Sequence, residues 1–396
     1  MHSNLFFESF SVLEDKREQG KVKHKLIDIL FIVVSAVMCG CNEWKEITWW
    51  TSSDTNIMWL KKYIELPNGT PSLSTMVRLF NILDPKQFEK CFADWIGTAI
   101  NLPEKDIISI DGKTMRGTIE KGHTTGVHIV NALCSSRSLV IGQVKTDVKS
   151  NEITAIPELL DMLQLKGCIV TTDAMGCQRK IAEKIIKEKK ADYVLQVKGN
   201  QGDLLDDIMQ HFRGKEVEIE NLKKEYSSKT IKEKMVGDTG LAYTKTVEKG
   251  HGRIEKREYI FSTDIGLFLN AKKEWVGLNG VGMVVRETIV DDVMSREASF
   301  FIGSISSIFD FKKAVRNHWL VESMHWSLDF TYKDDANRTR KGTAPQNMAV
   351  LKRIAFNIAK KDTIKYPKES MKGKRFLAGL HLDYRDFLLA LSFKAE

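Results

Sequence analysis

Two aspartates each follow a short apolar run, and this placement suits catalysis. The segment Ile107–Ile110 consists mainly of β-forming residues and leads directly into Asp111. Cys168–Thr172 leads into Asp173 in the same way. Buried parallel strands read as near-continuous apolar runs, and residues that do chemistry lie just beyond their carboxyl ends. A turn after a strand explains either aspartate alone, but the repetition of the pattern favours a shared site.

A third acid, Glu322, lies in a predicted long helix that Asp310 caps and that runs to about Phe330. Residues three, four and seven positions apart share one face of a helix. One stripe of this helix carries His318, Trp319, Glu322, His325, Trp326 and Asp329. Aromatic residues at this spacing are also typical of a packed core. The polar members favour a site, because burying several ionisable groups without ions or partners is costly.

Asp111, Asp173 and Glu322 together could hold two divalent ions. Carboxylate oxygens suit Mg²⁺ or Mn²⁺, which keep several waters and bind substrate phosphates. Two such ions about 4 Å apart activate an attacking hydroxyl and stabilise the leaving oxygen of an in-line phosphoryl displacement. The spacings of roughly 60 and then roughly 150 residues fit one site only if an inserted segment lies outside the catalytic core.

Basic residues accompany the predicted strand ends. Lys113, Arg116 and Lys198 could neutralise phosphates there, although a solvated basic rim explains the same three residues. The net charge of +8 permits a polyanionic partner without requiring one.

Other classes of protein are disfavoured. The six cysteines form no C-x-x-C pair, so we expect neither a zinc site nor a disulfide framework, which suits a reducing cytoplasm. The N-terminus lacks a signal-peptide pattern. Ile27–Cys41 is apolar but contains Asp28 and is shorter than the roughly 20 residues of a bilayer span, so we expect a buried helix there.

Competing phosphate-binding and hydrolase motifs also fail. The triplet that begins at Gly112 resembles the end of a P-loop, but the first glycine of that motif would fall at Ile107. A haloacid-dehalogenase-type phosphatase would need a second aspartate two residues after Asp111, where Lys113 stands. No zinc-protease, serine-hydrolase or kinase signature occurs.

The elements that must position these residues define four segments. Residues 1–104 carry helical patterns and are predicted to form an N-terminal helical domain, either a DNA-binding module or a plain helical bundle. Residues 105–214 hold three strands, a helix and then strand, helix and strand, the order of the ribonuclease-H-like α/β fold. Residues 215–305 hold a charged stretch and alternating strands, which predict a β-rich insertion. Residues 306–396 contain the Glu322 helix and the C-terminal helices.

The predicted boundaries within these segments are as follows. Core strands cover 107–110, 127–133, 139–144, 168–172 and 192–197; insertion strands cover 243–247, 257–261, 282–290 and 298–302. Helices are predicted from Ser150 to about Leu163, from Cys177 to Lys190 and from Thr343 to Lys360. A basic connection, Lys365–Arg375, is then predicted to precede a last short helix that ends near Phe393.

Eight motifs give the chain a specific resemblance. They are Ile110–Gly117, Gly142–Asp147, Lys149–Leu160, Asp173–Gln178, Lys198–Gln201, Gly250–Arg253, His318–Glu322 and Arg338–Gly342. Together they resemble the DDE transposases of bacterial insertion sequences, and most closely the H-repeat-associated branch. The resemblance covers nearly the whole chain, including the helical segment 1–104.

The resemblance implies a catalytic triad of Asp111, Asp173 and Glu322, with Mg²⁺ or Mn²⁺ as two bound ions. It also implies that residues 215–305 are the β-rich domain that such enzymes carry before their catalytic glutamate. The residues expected to contact DNA are Lys113, Arg116, Lys198, Asn200, Arg253, Arg257, His318, Trp319 and Arg338. His325 and Asp329 are not expected to bind the ions themselves; they are expected to contact and orient the groups that do.

Two positions depart from the wider superfamily. The arginine expected four residues before the glutamate is His318 here, and the lysine expected seven residues after it is Asp329. A histidine can be cationic beside a phosphate below a pKa near 6.5. Asp329 would repel a phosphate, so we expect it to orient His325 or a water instead.

Two functions follow from the resemblance. The first is an active transposase that cuts DNA at the element's inverted-repeat ends and joins the 3′-hydroxyl to target DNA, acting as a dimer or higher oligomer in the bacterial cytoplasm and associated with the nucleoid. The second is a transposon-derived DNA-binding protein or nuclease without full transposition activity. The presence of all three acids favours the first.

Overall fold

The computed structural model describes residues 5–122, 125–146, 152–228, 235–236, 240–250 and 252–392. Internal contacts divide the chain into two compact units. The first unit combines Met1–Leu102, Gly112–Gln164 and Val321–Glu396, and the second combines Pro103–Asp111 and Leu165–Leu320. The helical segment 1–104 therefore shares a unit with two later parts of the chain.

Helices and strands are mixed along the described residues, which confirms the α/β class. The helices are α1 (Leu5–Phe10), α2 (Leu26–Met38), α3 (Trp44–Thr51), α4 (Asp54–Leu60), α5 (Leu73–Ile82), α6 (Pro85–Ala99), α7 (Glu152–Met162), α8 (Arg179–Lys187), α9 (Gly202–Gly214), α10 (Glu216–Ser228), α11 (Leu269–Glu274), α12 (Ile308–Phe330), α13 (Ala344–Lys360), α14 (Met371–Leu380) and α15 (Leu382–Ser392). The strands are β1 (Ile107–Met115), β2 (Val127–Cys134), β3 (Leu139–Lys145), β4 (Ile169–Thr172), β5 (Asp192–Val197), β6 (Met235–Val236), β7 (Leu241–Gly250), β8 (Arg253–Ser262), β9 (Gly280–Val290) and β10 (Val293–Gly303).

The core of the first unit is built on α2 and α13, which contact each other. Both helices are buried over nearly their whole length, and burial of their apolar side chains stabilises the fold by roughly 25 cal/mol per Å². Thr343 precedes α13 as predicted, but its hydroxyl donates to the carbonyls of Phe80 and Leu83 instead of capping the helix. Strands β2 and β3 form the predicted antiparallel hairpin in this unit.

The second unit contains a mixed sheet. Its strands follow the order β1-β4-β5-β10-β9-β8-β7-β6. Strands β1, β4 and β5 are parallel, while β10, β9, β8 and β7 pair antiparallel. The core cluster on this sheet contains Ile107, Ile169, Tyr259, Phe301 and Phe311 among others. The alternating strands predicted for the insertion are therefore present and continue this sheet.

Several boundaries differ from the prediction. Strand β1 continues to Met115. The charged residues around 202–228 form α9 and α10, and the end of the predicted basic connection is α14, whose first turn Ser370 caps by accepting the N–H of Gly373. The predicted helix start at Ser150 lies outside the described residues.

Candidate functional site

The first two predicted acids come together at the carboxyl ends of β1 and β4. In the parallel register Ile110 pairs with Thr172, so Asp111 and Asp173 leave neighbouring strands at the same level. A carboxylate oxygen of Asp111 lies within 4.8 Å of one from Asp173. Both residues are half-buried. This is the arrangement that the repeated strand–aspartate pattern predicts.

The loop after Asp173 is held in place by polar contacts. Oδ1 of Asp173 accepts the backbone N–H groups of Met175 and Gly176 at 3.0 and 3.3 Å. The Asn200 amide donates to the carbonyl of Ala174 at 2.7 Å, and the Gln201 amide donates to Cys177 at 3.0 Å. The motif Lys198–Gln201 thus supports the loop that carries Asp173. In this structure the Asn200 amide, expected at the DNA, serves the loop.

His318 contacts the strand that delivers Asp173. Its Nδ1 lies 3.0 Å from the hydroxyl of Thr171, and that hydroxyl lies 3.4 Å from Ser109. Burial lowers the pKa of His318 to about 4. The imidazole is therefore neutral near pH 7 in this structure, and the contact of His318 with a DNA phosphate stays a prediction.

Sequence reasoning missed a compact acid–histidine pair in the first unit. Nε2 of His128 lies 2.9 Å from Oε1 of Glu152, and Nδ1 of His128 lies 2.8 Å from the hydroxyl of Thr114. This pair lies against Gly112, where an added Cβ would fall 2.1 Å from Glu152 Oε1 and 2.4 Å from His128 Nε2. Gly112 follows Asp111 in the chain. The sequence does contain one indication of this pair, because Glu152 lies in the motif Lys149–Leu160.

Lys113 is buried, and its charge is used inside the first unit. Its ammonium forms ion pairs with Asp329 and with Asp335, the latter at 3.0 Å. Burial raises the pKa of Asp329 despite the ammonium beside it. Lys113 therefore has a structural role in this structure, and Asp329 is its partner. The phosphate contact of Lys113 and the orientation of His325 or a water by Asp329 stay predictions. Arg116, by contrast, has a side chain that is 82% exposed.

His325 lies in a buried polar network of the first unit. Its Nε2 is 3.2 Å from the Asn131 amide, and the Asn131 oxygen accepts from Arg353 at 2.9 Å. Burial, aided by the Arg353 charge, lowers the pKa of His325 to about 3. Arg353 also pairs with buried Asp334 at 2.8 Å. This network connects His325 on α12 to Asn131 and Arg353, and its support of the catalytic site stays a prediction.

Glu322 lies exposed on α12, in the first unit. Asp111 and Asp173 belong to the second unit. The structure therefore brings together the two aspartates, and the approach of the glutamate stays a prediction.

The remaining predicted DNA contacts differ in their exposure. Four cationic residues are exposed: Arg116, Lys198, Arg253 and Arg338. Arg257 is only 7% exposed and pairs with Glu255 and Glu248, so its charge is neutralised within the second unit. Trp319 is 42% exposed, with the Arg286 guanidinium 5.3 Å from its ring.

The aspartate pair fits a divalent cation. Both side chains offer hard oxygen ligands of the kind that Mg²⁺ and Mn²⁺ prefer. Two carboxylates at this separation repel each other unless a cation or a proton lies between them. A divalent cation held there would supply metal-assisted chemistry at a phosphate or carbonyl.

The chain matches two known protein families. Residues 7–96 match a domain described as DDE_Tnp_1-associated, and residues 102–358 match the Transposase DDE domain. Among relatives, the protein YncI of Escherichia coli O157:H7 is 40% identical over 96% of this chain and 93% of its own length. The H repeat-associated protein YhhI of E. coli K12 is 36% identical over 98% of this chain and 99% of its own length.

One solved structure is also similar, a piggyBac transposase synaptic complex with hairpin DNA. It shares 10% identity at a TM-score of 0.39 and covers 97% of this chain and 77% of that one. Among the described residues, no helix has the length and apolar character needed to cross a membrane.

Proposed function

This chain belongs to the H-repeat-associated family of DDE transposases, and from that premise we propose that it cuts DNA at the inverted-repeat ends of an insertion sequence and joins the 3′-hydroxyl to target DNA. The observation that carries the proposal is the close approach of Asp111 and Asp173 at adjacent strand ends. In two-metal phosphoryl transfer such a carboxylate pair would hold the divalent ions, and these ions would neutralise the anionic reacting phosphate.

The order of elements supports a ribonuclease-H-like core. Strands β1, β4 and β5 are parallel, and α8 lies between β4 and β5 in the chain. The antiparallel pair β2–β3 follows β1 directly. We assign residues 105–214 to this core, 215–305 to an insertion that extends its sheet, and 306–396 to the part that supplies Glu322.

The proposed catalytic residues are Asp111, Asp173 and Glu322, which would hold two Mg²⁺ or Mn²⁺ ions. When bound, these ions supply an activated hydroxyl and neutralise the leaving oxygen. Oδ1 of Asp173 accepts the backbone N–H groups of Met175 and Gly176, which orient this carboxylate at the end of β4. His318 keeps β4 in place through Thr171.

DNA binding is proposed to use the exposed cations Arg116, Lys198, Arg253 and Arg338. Each phosphate contact releases counterions, so affinity should fall steeply with salt. We further propose that residues 1–104 contribute to DNA binding and that the protein acts as a dimer or higher oligomer on DNA.

The test is cleavage of the element's own terminal repeat, identified by sequencing the flanks of the gene. Purified protein should nick a duplex carrying this repeat in the presence of Mg²⁺ or Mn²⁺, and a duplex with a scrambled repeat serves as control. Binding of the repeat without any cleavage under both ions would overturn the proposal in favour of a transposon-derived DNA-binding protein.

A further inference from the structure

The surface around the end of α12 exposes several large apolar side chains. Trp326, Phe330, Phe376 and Leu380 are 63%, 60%, 65% and 59% exposed. All four belong to the first unit. Water contact with this much apolar area is unfavourable, and such patches mark binding sites more often than isolated exposed residues do.

Two depressions join these residues into one surface. The first, of about 510 Å³, is lined by Trp326, Phe330 and Lys372 among others. The second, of about 490 Å³, is lined by Phe330, Lys372, Phe376 and Leu380 among others. Because Phe330 and Lys372 line both depressions, the apolar residues and the lysine form a continuous surface, which we call the α12–α14 surface.

The aromatic rings at its centre are arranged as a stack. The ring centroids of Trp326 and Phe330 lie 5.2 Å apart, and the ring planes are within 7° of parallel. The ammonium of Lys333 lies 5.4 Å from the Phe330 ring. Such rings suit a third flat ring, and the adjacent cation suits a phosphate linked to it, since every nucleobase has a π-face and a linked phosphate.

The charges on this surface favour an anion. Lys333 and Lys372 are exposed at its edge. Two acids also line the first depression, Asp362 and Glu369. The Asp362 carboxylate accepts from Tyr384 and from the backbone N–H groups of 364–366, and Glu369 accepts from Ser370. Hydrogen bonds within the protein thus engage both acids, and the lysines that line the two depressions, Lys333, Lys360, Lys372 and Lys374, outnumber them.

The α12–α14 surface also lies close to the proposed catalytic glutamate along one helix. Trp326 and Phe330 follow Glu322 by four and eight residues, which corresponds to about 6 and 12 Å along the helix axis. Phosphates in one DNA strand are about 3.4 Å apart along the axis. A strand whose reacting phosphate lies near Glu322 would reach the two rings within about two to four nucleotides.

We propose that the α12–α14 surface binds unpaired bases of a DNA strand, which stack on Trp326 and Phe330 while Lys333 and Lys372 contact the phosphates. This inference rests on the proposed function for its DNA substrate, but it concerns a different step, the capture of a single-stranded segment. A duplex keeps its bases paired, so the rings should discriminate single-stranded from double-stranded DNA.

The test measures binding of a fluorescent oligothymidine by anisotropy without divalent ions. Trp326→Leu and Phe330→Leu keep an apolar side chain but lose the ring, and each should weaken binding about tenfold, whereas Trp326→Phe should keep most of the affinity. Phe309→Leu is the control, because Phe309 is an exposed aromatic residue on α12 that lines neither depression. Melting curves confirm that each variant is folded.

Three results would overturn the proposal. One is equal oligothymidine affinity in the wild type, the Leu variants and Phe309→Leu. The second is equal weakening by Trp326→Phe and Trp326→Leu, which would show that the ring itself is not used. The third is a change in sedimentation without a change in oligothymidine binding, which would make this surface an interface between copies of the chain. Since no metal or cleavage is involved, failure of the proposed transposase activity would leave this measurement unaffected.

Discussion

The hydroxyl of Thr171 lies 3.0 Å from Nδ1 of His318, and this contact fastens α12 to the strand that ends at Asp173. Burial lowers the pKa of His318 to about 4, below the value near 6.5 in the unfolded chain. The unfolded chain therefore binds the proton more tightly, and the free energy of unfolding should fall as pH drops from about 6.5 towards 4. Above pH 6.5 this group should have no effect.

His318→Asn tests this relationship. The asparagine can place an amide near the position of Nδ1 but does not titrate, so chemical unfolding at several pH values should show a shallower loss of stability below pH 6.5. His318→Ala also removes the hydrogen bond and should cost about 1–2 kcal/mol at neutral pH. If the stability of His318→Asn depends on pH as that of the wild type does, His318 is not the group responsible for the loss of stability below pH 6.5. If His318→Ala melts far lower yet retains normal specific cleavage activity, the histidine is structural only.

Metal-dependent melting can distinguish a role of the proposed acids in metal binding from a role in stability. Asp111→Asn, Asp173→Asn and Glu322→Gln should each abolish cleavage. The melting temperature of the wild type should rise with Mn²⁺, since a ligand that binds only the folded state stabilises it, and this rise should shrink in each variant. Without metal, Asp111→Asn and Asp173→Asn should be at least as stable as the wild type, because one of two repelling charges is removed. A variant that keeps both the rise and near-normal cleavage would exclude its residue from the site.

Lys113 and Arg116 provide a matched pair for stability. Lys113→Met leaves Asp329 and Asp335 without their buried ammonium and should destabilise the protein by about 3 kcal/mol. Arg116→Met removes an exposed charge 3.8 Å from Asp335 and should cost less than about 1 kcal/mol. DNA affinity should show the opposite order, with a flatter salt dependence for Arg116→Met alone. Equal stability of the two variants would contradict the structural role of Lys113.

The positions of the two aspartates could be predicted from sequence, whereas the partners and charge states of the basic residues could not. An apolar run followed by an acid is local information. The partners of Lys113 lie more than two hundred residues away in sequence, and burial decides the charge state of His318. The sequence does not predict helix α14, because Gly373 and the lysines on either side of it are also typical of a loop. Its arginine, Arg375, is in fact buried, where it donates to the carbonyls of Val37 and Cys41.

Gly112 is predicted to tolerate no side chain. In Gly112→Ala the new Cβ would overlap Glu152 and His128, and overpacking of this kind costs about 1–3 kcal/mol. Gly97→Ala is the control, because the space around Gly97 is open and alanine favours its helix, so stability should be unchanged or rise by up to about 1 kcal/mol. The contact is disproved if both variants unfold at the wild-type denaturant concentration.

Glu89 should make the free energy of unfolding depend on pH in the opposite direction to His318. It is 2% exposed, and burial raises its pKa to about 7 although the amides of Gln143 and Gln346 donate to it. The folded protein binds this proton more tightly, so stability should fall as pH rises from about 4.5 to about 7 and then stay level. Glu89→Gln should recover up to roughly 3 kcal/mol at pH 8, whereas exposed Glu158→Gln should have little effect. An equal response of both variants to pH would rule out Glu89 as the source.

The pairing of α2 with α13 also has a consequence for synthesis on the ribosome. Helix α2 is translated more than three hundred residues before α13, against which it packs. Until that partner emerges, an apolar helix remains without most of its covering surface, and contacts of such long sequence separation form slowly. Nascent chains that stop before residue 344 should therefore engage chaperones or aggregate, so that premature termination removes the protein as well as its activity.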